Sequence, residues 1–277
     1  MDSATDHMTL RAQLDWQIAL GADEAILDAP LNRYALTDGP LRPAVPVPQM
    51  PAVTATWGAK DGSGSGTAAL LDVAVAAARS MAGAAADLPA LAAAMAAYPH
   101  CDLRLGARSL VFADGAPAAR VMIVGEAPGR EEDVEGRPFV GQAGQLLDRM
   151  FAAIGLSRHA PDPVNAVYIT NVLPWRPPSN RTPQAAEIAM LLPFLERHIA
   201  LQNPTLVVLM GNIPCQALLG RSGITRLRGL WAEVMGRPAL PMVHPAYLLR
   251  QPAAKREAWA DLLALKTRLQ TLPPESP

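Results

Sequence analysis

From residue 119 onward the chain alternates short apolar runs with amphipathic stretches, and this alternation restricts its fold more than any other feature. Apolar runs at 121–124, 167–170, 206–210 and 240–243 are each followed by a helical pattern, at 144–154, 183–201, 213–219 and 253–269. Strands that alternate with helices of this length imply a parallel sheet covered by helices on both faces. The expected fold class is α/β, a three-layer α/β/α sandwich around a four-stranded parallel sheet. With 277 residues and 50% apolar composition there is ample material for such a core.

The preceding residues differ in composition. Residues 8–22 carry Leu10, Leu14 and Ile18 on one helical stripe, which predicts an amphipathic helix that docks on the chain's own core or on a partner. Residues 40–66 are rich in Pro, Gly, Ser and Ala and read as a linker. Residues 67–97 are Ala-rich, and Asp87-Leu88-Pro89 marks a cap and restart between two helices. The expected organisation is a helical N-terminal extension over 1–39, a linker over 40–66, and the main domain with its leading helices over 67–277.

No run of 18 uncharged apolar residues occurs, and the N-terminus lacks a basic start with an apolar middle, so a soluble cytoplasmic monomer is expected, with no membrane partner. Cys101 and Cys215 are the only cysteines, which excludes a disulfide framework or a multi-cysteine metal site within one chain. The formal charge is −1, but the first 65 residues hold four basic and eight acidic groups, leaving 20 basic and 17 acidic beyond them. Arg221, Arg226, Arg228, Arg237, Arg250, Lys255 and Arg256 are candidates for a phosphate-binding stripe. On charge alone they read as a solvated surface.

Three apolar runs end in polar groups. Residues 121–124 lead into Gly125-Glu126-Ala127-Pro128-Gly129, residues 167–170 end at Asn171, and residues 240–243 end at His244. Ligands of open parallel sheets bind beyond the carboxyl ends of the strands, so a carboxylate, an amide and an imidazole are expected to face one pocket.

Gly125 to Gly129 with Glu132-Asp133, Gly136-Arg137-Pro138-Phe139-Val140-Gly141, Ile169-Thr170-Asn171, Arg176-Pro177-Pro178-Ser179-Asn180-Arg181 and His244-Pro245-Ala246-Tyr247-Leu248-Leu249-Arg250 occur in this order. Together they resemble the uracil-DNA glycosylase superfamily, and their order and wording look like its family 4. The resemblance covers roughly residues 86–270. It implies hydrolysis of the N-glycosidic bond of uracil flipped out of DNA, which leaves an abasic site in base-excision repair. Two alternatives stand beside it: a damaged-base DNA-binding protein without turnover, and a glycosylase of broader deaminated-base range.

The resemblance implies roles residue by residue. Phe139 stacks on the extruded pyrimidine, and its alternative is a core position. Asn171 matches the acceptor and N–H donor of uracil's pairing edge, where an isolated asparagine would close a turn. Glu132 supplies bulk against thymine, or else offsets a helix dipole. His244 donates to the departing uracil anion as a neutral imidazole. Gly125 and Ala127 line the base site through backbone N–H groups. In another family of the superfamily an aspartate sits at the position of Ala127, and no obvious general base replaces it here. Glu126, as electrostatic stabiliser, and Asn180, as water-positioning amide or helix cap, are the nearest candidates. Pro178 presses on the DNA backbone, Arg228 and Arg250 meet phosphates, and one of Tyr247 and Leu248 is the wedge while the other is core. The partner is uracil-containing DNA, single- or double-stranded, and the N-terminal helix can then serve a repair partner.

Family 4 resemblance also implies a [4Fe–4S] cluster on four cysteines. The corresponding positions here read Tyr98, Cys101, Trp175 and a residue near Leu191. One thiolate does not hold such a cluster, so none is expected, and no other metal or cofactor. Residues 222–229 contain no histidine, so the covalent trapping of a related subgroup is not expected either.

Overall fold

The computed structural model describes residues 64–272, and the fold begins with helices α1 (Gly64–Ala84) and α2 (Leu88–Ala97). The expected helix at 8–22 and nearly all of the 40–66 linker lie outside the described residues. Helix α1 starts at Gly64, three residues before the expected domain boundary. Asp87 ends the break between the two helices as its residue type predicts. Its Oδ1 accepts the Ala90 N–H at 2.8 Å, and Pro89 fills an early position where no N–H is needed.

A short helix α3 (Leu103–Gly106) precedes strands β1 (Asp114–Gly115) and β2 (Val121–Gly125). Helices α4 (Arg130–Glu135) and α5 (Gln142–Ala152) lead to β3 (Val167–Asn171) and α6 (Ala185–Gln202). Then follow β4 (Leu206–Met210), α7 (Asn212–Leu219), α8 (Ile224–Leu227), β5 (Ala232–Val234), β6 (Arg237–Met242), α9 (Pro245–Arg250) and α10 (Lys255–Thr271). The sheet order is β1-β3-β2-β4-β6-β5. Its four central strands are parallel, as the alternating pattern requires. The expected count of four is corrected to six, because β1 and β5 pair antiparallel at the two edges. Strand β1 is only Asp-Gly, and β5 carries exposed Glu233 beside Val234, so neither has the apolar run that marks a buried strand.

The central strands are buried on both faces, and side-chain alternation divides them between two cores. Met122, Val124, Tyr168, Val207 and Leu209 join Leu191, Phe194 and Ile199 of α6, with α1 and α2 outside them. Val121, Ile123, Ile169, Val208 and Leu240 face Leu147 and Phe151 of α5 and Leu262 and Leu265 of α10. Each such side chain contributes roughly 2 kcal/mol by leaving water, so both layers hold the sheet in place between them. A one-residue slip in any strand would exchange its two faces.

This register predicts that the capping residue is replaceable at a known cost. Asp87→Ala should lower stability by about 1 kcal/mol, read as a lower urea midpoint at unchanged slope, with α2 still formed.

Candidate active site

Parallel register sets the positions of the strand ends. Gly125 of β2 pairs with Asn171 of β3, and Met210 of β4 pairs with Met242 of β6. The loops that leave these ends border one cavity of about 630 Å³, a volume suited to a small ring compound. Glu126, Ala127, Glu132, Phe139, Asn171, Asn180, His244, Tyr247 and Arg250 all line it. The carboxylate, amide and imidazole expected from three separated segments are thus brought to the same cavity.

The cavity floor depends on Gly125. A Cβ there would fall 2.3 Å from Asn171 Oδ1 and 2.6 Å from the Phe139 ring. Only glycine permits both side chains to cross the strand end. Gly125 itself is buried beneath them rather than on the cavity surface. Asn171 is 7% exposed, and among the described residues its side-chain amide has no hydrogen-bond partner. Its oxygen and NH2 are therefore both available to a ligand in the cavity that the residue lines.

Phe139 is 6% exposed and lies stacked on His244 with ring centroids 5.3 Å apart and planes at 27°. Its φ of +54° is left-handed, a conformation that costs a residue with a Cβ about 1 kcal/mol and persists only where the surroundings impose it. Glu132 supplies part of that constraint. One of its oxygens accepts the Val140 and Gly141 N–H groups at 3.0 and 3.1 Å, and the other accepts the Gly129 N–H at 3.0 Å. Glu132 thus lines the cavity while tying together its two loops, and the Gly129 N–H is not free for a ligand.

His244 ends the segment after β6, and its Nδ1 accepts the Ala246 N–H at 3.2 Å. That bond assigns the ring proton to Nε2. Burial and the neighbouring Arg250 push its pKa down to about 4, against the opposing pull of Glu132. The imidazole is neutral at pH 7 and keeps one N–H for the cavity. Glu126 is half-buried, and burial raises its carboxyl above the usual 4.5.

Asn180 stands at the rim with φ +53°, and its Oδ1 accepts from Arg176 Nε at 2.7 Å. This holds its NH2 face free of that bond. It does not cap α6, whose first turn is closed instead by Glu187 accepting the Gln184 N–H at 2.7 Å. Pro178 is exposed on the outer side of the same loop.

Two expected DNA contacts lie elsewhere. Leu248 is 1% exposed and packs with Leu146, Val243 and Ala258, so of the two wedge candidates it is the core residue. Arg228 is paired with Asp261 and donates to the Glu257 carbonyl, tying the segment before β5 to α10. An arginine taken by a buried carboxylate is a structural tie, a distinction that sequence alone does not make. Among cavity residues not singled out from sequence are Arg181, Asn212 and Ile224. Asn212 holds the α8 turn by accepting the Gly223 and Ile224 N–H groups at 3.0 and 2.8 Å. It follows the end of β4 directly, the same strand-end signal that marked the other three segments.

The four positions where family 4 resemblance implies cluster cysteines are all buried. Tyr98, Cys101, Trp175 and Leu191 are each at most 2% exposed and belong to one hydrophobic cluster. The Tyr98 hydroxyl donates to the Ala74 carbonyl at 2.7 Å, and its ring meets Phe194 edge-on at 5.2 Å. Burial pushes the Cys101 thiol up to about 11. Three side chains without a thiol and a single cysteine do not fit an iron–sulfur cluster, which needs four such ligands. Among the described residues no group of three or more His, Cys, Asp or Glu is placed to hold a metal ion. No helix among them is long and apolar enough to cross a membrane.

Comparison with known proteins agrees with this geometry. The family model of the Uracil DNA glycosylase superfamily matches residues 112–263, which include all the cavity residues above. The type-4 uracil-DNA glycosylase of Pyrobaculum aerophilum is 38% identical over 177 residues, 58% of this chain and 84% of that protein. That of Archaeoglobus fulgidus is 38% identical over 170 residues, 58% of this chain and 82% of its own length. That of Thermotoga maritima is 39% identical over 153 residues, 54% and 77% respectively. With its strand-end amide and imidazole on one cavity and its match to these relatives, the chain belongs to the uracil-DNA glycosylase superfamily and is of the family 4 kind.

Proposed function

We propose that this protein is a monofunctional hydrolase that flips uracil out of single- or double-stranded DNA and cleaves its N-glycosidic bond. The observation that carries the reading is the Asn171 amide, free of protein partners, beside the Phe139 ring and the neutral His244 imidazole on one cavity. The Phe139 face stacks on the pyrimidine, and Asn171 pairs with its acceptor and N–H. As the bond to the sugar lengthens, negative charge spreads over the uracil oxygens, and His244 Nε2–H donates to it in a site sheltered from water. Glu126 opposes the positive charge that develops on the sugar, and Asn180 orients the incoming water. Glu132 fills the space beside ring carbon 5, where thymine carries its methyl group. Tyr247 enters the base stack from the cavity rim, and Arg250 and Pro178 meet the DNA backbone. In this reading the enzyme acts as a cytoplasmic monomer, and the packed side chains of Tyr98, Cys101, Trp175 and Leu191 replace a cluster.

Purified protein incubated with a single-stranded uracil oligonucleotide and then treated with alkali should cleave at the uracil. Asn171→Ala and His244→Ala should each lower the single-turnover rate by about 100- to 1000-fold, the scale of one lost donor in a transition-state pocket. Tight binding of uracil DNA without any strand cleavage would replace catalysis by a sensor role.

The pH profile follows from the two shifted groups. A His244 pKa near 4 keeps the imidazole neutral above pH 5, so no step near 6.5 should appear. Glu126 is raised above 4.5, so the rate should fall on the acid side as it protonates, and that limb should vanish in Glu126→Gln. A step near 6.5 removed by His244→Asn would contradict the neutral-donor role.

Metal analysis of the purified protein should find iron well below one atom per chain, and overnight treatment with an iron chelator and ferricyanide should leave the uracil-release rate unchanged. Four irons per chain would overturn the packed-side-chain reading.

A further inference from the structure

Behind the cavity lies a buried cation with no part in the chemistry above. The Arg158 side chain is 3% exposed, and its guanidinium spends two donors on consecutive backbone carbonyls. Nη1 donates to the Pro138 carbonyl at 2.8 Å and Nη2 to the Phe139 carbonyl at 2.9 Å. Its charge is balanced by Asp114 of β1 and Asp148 of α5, each at 2.9 Å. The planar fork of arginine suits this four-way task, and lysine has neither its reach nor its directions.

The peptide so held is the one whose side chain faces the base site. Phe139 adopts φ +54°, which an L-residue avoids without outside constraint. Arg158 fixes the carbonyls up to and including Phe139, while Glu132 fixes the N–H groups of Val140 and Gly141 that follow. The Phe139 carbonyl also presses on Gly144 of α5, where a Cβ would fall 1.8 Å from the oxygen. A cation, an anion and a glycine thus hold the loop in a conformation that turns the Phe139 ring onto His244.

We propose that Arg158 is a positioning residue for base recognition: clamping the Pro138 and Phe139 carbonyls, it fixes the angle at which the Phe139 ring meets the extruded pyrimidine. The proposal rests on the uracil-glycosylase reading and extends it to a residue that touches no substrate. Arg158 acts on the bound base rather than on DNA affinity, because neither it nor its carboxylate partners Asp114 and Asp148 line the cavity. Displacing a stacking wall by a fraction of its width is the kind of remote change that lowers rate without weakening binding.

The test is Arg158→Lys, with Asp148→Asn as a milder variant that removes one partner from the outer side of α5. The chain has four phenylalanines, so protein labelled with 4-fluorophenylalanine gives four fluorine-19 signals, and that of Phe139 is assigned by its loss in Phe139→Leu. In Arg158→Lys the Phe139 signal should move or broaden while the other three stay. The single-turnover rate at saturating single-stranded uracil oligonucleotide should fall about 10- to 100-fold, with the half-saturating DNA concentration changed by less than about twofold. Asp148→Asn should shift both readouts the same way by less, and it carries the test alone if Arg158→Lys does not fold. A Phe139 signal unmoved in the folded variants, or moved with no change in rate, overturns the proposal. Wild-type protein that releases no uracil would instead overturn the functional reading, and the fluorine shift would still report on the clamp.

Discussion

The register between the central parallel strands is the constraint on which the rest of the molecule depends. Hydrogen bonds between β2 and β3 set Gly125 beside Asn171, and those between β4 and β6 set Gly211 and His244 to follow from paired ends. The amide and the imidazole are therefore placed by the sheet and not by the course of a long loop. The two hydrophobic layers enforce that register, because a shifted strand would send core side chains to the wrong face. Packing far from the cavity therefore determines the distance between the amide and the imidazole within it.

The cavity wall has a second source of rigidity that is electrostatic. Loops at strand ends are usually the softest part of an α/β domain, yet here their backbone groups are engaged by polar side chains. Glu132 gathers three N–H groups, Arg158 gathers two carbonyls, and Asn212 gathers two more N–H groups at the α8 turn. Each supplies what secondary structure would otherwise provide, and the cavity can keep irregular backbone without leaving its polar groups unmatched. Preorganised dipoles of this sort do not have to reorganise as charge develops on a substrate.

Much of this was readable in the sequence because it is periodic or local. The four parallel strands follow from apolar runs separated by helical patterns, and Asp87 announces its helix by residue type. Asn171, His244 and Phe139 were legible as strand-end and loop residues within recognisable strings. The edge strands were not, since a two-residue Asp-Gly strand has no pattern. Arg228 and Arg158 show the deeper limit. Both are arginines near loops, and only the fold reveals that one ties down α10 and the other supports the aromatic wall. Which of Tyr247 and Leu248 faces inward depended likewise on the angle at which α9 sets down on α5, which no spacing encodes.

The Tyr98 hydroxyl reaching the Ala74 carbonyl ties the leading helix α1 to the core that also holds Trp175 and Leu191. Through this one buried phenol the Ala-rich leading helix joins the same cooperative unit as the sheet, and its unfolding is coupled to that of the core.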